Sequence, residues 1–84
     1  MKQFEMFLNH HELMNKSDAF REGVECAFEQ IETNLTRLSF AELAEMVRDC
    51  YGRSQKNLEY AKSEDAAEFQ RGYQAVCGHF LKNS

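Results

Sequence analysis

Three cysteines, Cys26, Cys50 and Cys77, and three histidines, His10, His11 and His79, are the residues whose types could ligate a metal or attack an electrophile. Their spacing discourages the first role. His10 and His11 are adjacent, so on a helix they point about 100° apart, whereas zinc sites on helices use i, i+4 pairs. Cys77 and His79, two positions apart, diverge for the same reason. The expectation is no metal and no cofactor. An odd number of cysteines without paired spacing also argues against a disulfide framework. A nucleophilic thiol needs an adjacent base and an electropositive, partly open setting. Cys77 falls on an apolar stripe with Val76 and Phe80 and reads as core. Cys50 is flanked by Arg48 and Arg53, but its expected place near a helix C-terminus disfavours a thiolate. Solvated carboxylates on a helix surface do no acid–base work. The chain reads as a non-enzyme.

The acids are better ordered than the nucleophiles. Asp18, Glu22, Glu25, Glu29 and Glu32 recur at steps of three and four, so they align as one ridge along a helix, continued by Glu42 and Glu45. Such a run is either the wet face of a helix or a surface that meets a basic groove on a partner protein, where clustered carboxylates speed and orient docking. Of all the surfaces in the sequence, this ridge is the one expected to carry function, and it could occupy a site meant for nucleic acid. A basic patch of Arg48, Arg53 and Lys56 is the alternative. Residues 40–62 offer a helix, a glycine-containing turn and a second helix opening with Arg53, Gln55, Lys56 and Asn57, the ingredients of a helix-turn-helix. The pattern fails where an alanine is expected four residues before the glycine, since Arg48 stands there. Nucleic acid is also disfavoured by the net charge of −4, because phosphate binding needs clustered cations.

These groups must be positioned by a small scaffold. The 84 residues, 43% apolar and 29% charged, suit one folded domain spanning 1–84, and no apolar run is long enough for a membrane span. With no proline and few β-branched residues, the composition points to an all-α fold, a small bundle of three to four helices. Glu5 and the two histidines interrupt what a signal peptide would need, so the expected location is cytoplasmic.

The organising stretch is 17–38. There Phe20, Val24, Ala27, Phe28, Ile31, Leu35 and Leu38 make a core stripe opposite the acidic ridge, and Ser17 or Asn15 can cap the helix. Residues 2–15 read as an earlier helix that is apolar on two sides, with Met6 and Leu13 available to a homodimer seam or a partner. Ser39 and Glu42 form a capping box, with Leu38 and Leu43 placed as a hydrophobic staple, so a helix begins at Phe40. Its stripe is Phe40, Leu43, Ala44, Val47 and Cys50 or Tyr51. The next boundary has two readings, a break near Gly52 with a long helix over 54–82, or a turn at Ser63. The apolar gap at 52–57 and its glycine favour the first. Phe28, Ile31, Val47, Phe69, Val76 and Phe80 are the expected core.

The sequence contains no catalytic or ligand motif. The expected function is a compact interaction protein that binds and modulates, in the main inhibits, a macromolecular partner. That profile is shared as a class with phage and mobile-element accessory proteins acting on host machinery. Two alternatives stand beside it: a small DNA-binding regulator acting through residues 48–62, and a small-ligand-binding helical oligomer with an aromatic-lined pocket holding Arg71 or Tyr73.

Overall fold

The computed structural model describes residues 16–82, which form three helices: α1 (Asp18–Leu35), α2 (Phe40–Glu59) and α3 (Glu64–Lys82). There is no strand among the described residues. The helix expected over 2–15, with the seam of Met6 and Leu13, lies outside them.

Each start is fixed by a side-chain cap. The Ser17 hydroxyl accepts from the Phe20 amide at 3.2 Å and opens α1. Ser39 and Glu42 open α2 as the expected capping box: the Glu42 amide donates to Ser39 Oγ at 3.2 Å, and the Ser39 amide donates to Glu42 Oε1 at 3.0 Å. These bonds hold the Glu42 carboxyl below its ordinary pKa of 4.5. The Ser63 hydroxyl accepts from the Ala66 amide at 3.1 Å and opens α3.

The chain does not break at Gly52. Helix α2 runs through that residue to Glu59, and the turn comes at 60–63. A glycine inside a helix costs only about 1 kcal/mol relative to alanine, too little to end one whose following residues still find partners. Ser54 is buried and donates to Gln70 Oε1 at 2.6 Å, and Leu58 returns to the partly buried face. The polar run at 52–57 is mostly the solvent flank of α2. The cap at Ser63 marks the real boundary.

Helix α3 is central, packing along both α1 and α2, which touch each other little. It runs antiparallel to α2, with Phe40 opposite Phe80 and Ser54 opposite Gln70. The core holds Val24, Ala27, Phe28, Ile31, Leu43, Val47, Tyr73, Val76 and Cys77. Phe69 and Phe80, expected inside, are only partly buried against its edge. Two other stripe residues differ more. Leu35 is 50% and Phe40 61% exposed, because they are the last residue of α1 and the first of α2 and lie beyond the end of the core. The Phe40 ring sits 6.0 Å from that of Phe80.

Helices α1 and α3 meet at two reciprocal contacts. A Cβ on Gly23 would overlap the Phe69 carbonyl oxygen and lie 2.9 Å from its carbon; a Cβ on Gly72 would overlap the Phe20 oxygen and lie 2.9 Å from that carbon. Phe20-x-x-Gly23 and Phe69-x-x-Gly72 thus form matching halves of one crossing, each glycine seated on the other helix's phenylalanine carbonyl.

Candidate functional site: an acidic ridge and an interhelical cleft

The helical period of α1 puts its apolar residues against α3 and turns all five ridge acids outward. Asp18, Glu22, Glu25, Glu29 and Glu32 are all exposed. Among them only Asp18 has a cation partner, Arg21 on the same helix. At its N-terminal end the ridge borders a cleft of about 570 Å³ between the first turns of α1 and α3, flanked by Asp18, Glu22 and Asp65 and floored by Ala19, Ala66 and Phe69. Asp65 was no part of the expected ridge. Only the meeting of the two helix starts brings it there. Glu42, expected to continue the ridge, is committed to its capping bond.

A second cleft, about 290 Å³, opens where α1 and α2 diverge over α3. Helix α1 supplies Cys26 and Gln30, α2 supplies Cys50, Arg53, Ser54 and Asn57, and α3 supplies Phe69, Gln70 and Tyr73. The Tyr73 hydroxyl donates to Gln30 Oε1. Burial, reinforced by the neighbouring Cys50 thiol, pushes its pKa well above the ordinary value, so it remains a donor at neutral pH. The Cys50 thiol lies 4.0 Å from Gln30 Oε1, and Arg53 Nη2 donates to Cys50 Sγ at 3.7 Å. Cys77 lies behind, where burial and then the proximity of Cys50 push its thiol up to about 12. It is a core residue, as its stripe position implies, and stays protonated at neutral pH.

Cys50 is not near a helix end. With α2 continuous to Glu59, it lies in the helix interior, and the dipole argument against its thiolate no longer applies. For the same reason Arg48, Arg53 and Lys56 share one helix, and no helix-turn-helix forms over 40–62. Arg48, Arg53 and Lys56 are all exposed, and Arg53 is also engaged with Cys50. Of the two residues proposed for an aromatic-lined pocket, Tyr73 lies in the cleft. Arg71 faces away and pairs with Glu68 at 2.5 Å and Glu64 at 3.6 Å.

Cys50, Arg53 and Tyr73 stand out singly in the sequence, but the cleft that joins them does not. The available signal was modest: Cys26 and Gln30, Cys50 and Ser54, and Gln70 and Tyr73 are polar pairs at i, i+3 or i+4 on the flanks of apolar stripes. Among the described residues no group of three or more His, Cys, Asp or Glu side chains could hold a metal ion, and no helix is long and apolar enough to cross a membrane. Compared with protein-family models, curated proteins and solved structures, the chain finds no match.

Proposed function

We propose that this chain is a non-enzymatic docking module that binds a basic surface of a partner protein through the ridge of α1 and thereby modulates, in the main inhibits, that partner. What carries the reading is that the acids continue where helix stability opposes them. Carboxylates in the first turn favour the helix dipole, which accounts for Asp18. Glu32 sits in the last turn, where an anion is unfavourable and no basic residue of α1 offsets it. Each consecutive pair along the ridge is also a like-charge i, i+3 or i, i+4 neighbour, costing about 0.2–0.5 kcal/mol. A partner's lysines or arginines would relieve both penalties. The cleft between Asp18, Glu22 and Asp65 suits such a side chain, its stem lying on Ala19, Ala66 and Phe69 and its charge among the carboxylates.

The test is parallel affinity capture from the native cell with the wild-type chain and with a Glu25→Lys, Glu29→Lys double variant, read by quantitative mass spectrometry. A protein recovered by the wild type and lost by the variant is expected. Identical recoveries by the two baits would contradict the proposal.

A further inference from the structure

We infer that the cleft between the three helices is a binding site for a small organic carboxylate, with Arg53 as its counter-charge and the Cys50 thiol beside it. This site is separate from the ridge. The first observation is the behaviour of Arg53. Arg21 and Arg71 each take a carboxylate three residues away on their own helix. Asp49, four residues before Arg53, is the partner that helical spacing offers it, yet no ion pair forms; the guanidinium is turned to Cys50 Sγ at 3.7 Å. The second is the lining. In a chain of net charge −4, none of the nine described residues around this cleft is a carboxylate, and among those nine Arg53 is the one cation. Neutral hydrogen-bonding groups surround it: the Gln30 and Asn57 amides and the Tyr73 hydroxyl.

A guanidinium free of carboxylate partners presents a fork that matches a carboxylate bidentately. A single cation balances a monoanion, while a phosphate dianion would bring a second charge with no partner. The volume of about 290 Å³ is small for a ligand site, equivalent to about ten water molecules. The Phe69 and Tyr73 side chains offer an apolar wall to the rest of such a ligand.

The experiment uses iodoacetate and iodoacetamide as probes, because they alkylate thiols by one reaction and differ by a carboxylate. In each, sulfur attacks the methylene carbon, the S–C bond forms as the C–I bond breaks, iodide leaves and the thiol proton passes to water. The Cys50 rate ratio, iodoacetate over iodoacetamide, is measured by peptide mass spectrometry on the native chain and on the same chain unfolded in urea. Both reagents react with the same sulfur species, so its abundance cancels in the ratio. Expected is a native ratio about fivefold above the unfolded one, the effect of a partly exposed ion pair at ~1 kcal/mol. The net charge of the chain by itself would push that ratio the other way.

Arg53→Met should abolish the enhancement, and Arg53→Lys should retain part of it. Arg53 is exposed, so both variants are expected to fold, which their thermal melts will check. Cys77 should resist both reagents in the native chain and serve as an internal control for folding. A native ratio at or below the unfolded value, a ratio unchanged by Arg53→Met, or a Cys50 inert to both reagents would overturn the inference.

Discussion

Replacing each of three helical glycines with alanine should give effects of opposite sign, determined by what the new methyl group meets. At Gly23 it meets backbone. The Phe69 carbonyl carbon would lie 2.9 Å from the Cβ and must recede to about 3.5 Å for van der Waals contact, with the carbonyl oxygen closer still. A carbonyl cannot rotate away like a side chain, so α1 and α3 must part along their seam. A gap of 0.5–1 Å forfeits roughly a quarter to a half of each dispersion contact it opens, and Val24, Ala27 and Val76 lie in the same core. Overpacking of this kind costs about 1–3 kcal/mol, and a clash with backbone atoms places it in the upper half of that range, about 2–3 kcal/mol, after which alanine's better helix propensity returns about 1 kcal/mol. A net loss of about 1–2 kcal/mol is expected for Gly23→Ala, and the same for Gly72→Ala because its contact is reciprocal. At Gly52 nothing lies within 4 Å, so only propensity acts, and Gly52→Ala should gain about 0.5–1 kcal/mol. Urea unfolding followed by circular dichroism measures all three. Gly23→Ala as stable as wild type would refute the crossing, and a destabilised Gly52→Ala would refute a continuous α2.

Further expectations concern the caps and the core. Ser39→Ala should destabilise by about 0.5–2 kcal/mol in the same assay by removing the acceptor for the Glu42 amide. Phe28→Ala should cost about 3–5 kcal/mol and leave a chain of this size close to unfolding, which an unmoved melting temperature would contradict. The Glu42 carboxyl has a folded-state pKa below its ordinary 4.5, so its contribution is present above about that pH and is lost as pH falls through the lower folded value. Stability measured from pH 6 downward should therefore fall less steeply in Glu42→Gln than in the wild type.

The local signals were legible where chemistry and spacing coincide. Ser39 and Glu42 marked a helix start because a capping box needs only four adjacent residues, and the stripe from Val24 to Ile31 marked a core face because burial and helical period agree. Gly52 misled because a glycine beside polar residues resembles a helix end, whereas Ser54 is held by Gln70, sixteen residues away. Leu35 and Phe40 kept the period but lie past the end of the core, a matter of helix length that periodicity does not encode. The matching Phe20-x-x-Gly23 and Phe69-x-x-Gly72 segments were visible in the sequence, yet their meaning depends on the two helices meeting. The cleft was illegible for the same reason: its thiols, guanidinium and phenol come from three helices, and the angle at which α1 and α2 diverge decides that they share one space.

The docking role proposed for α1 is tested most directly by binding isotherms, at two salt concentrations, between the captured partner and either the wild-type chain or the Glu25→Lys, Glu29→Lys variant. Both residues are exposed, so the reversal leaves the bundle intact to within tenths of a kcal/mol. For the wild type, affinity should fall as salt rises, because exposed charges on the two surfaces are screened. For the variant, affinity should be weaker at low salt and its dependence on salt flatter. Equal affinity and equal salt dependence in the two chains would contradict the claim that the ridge is the docking surface.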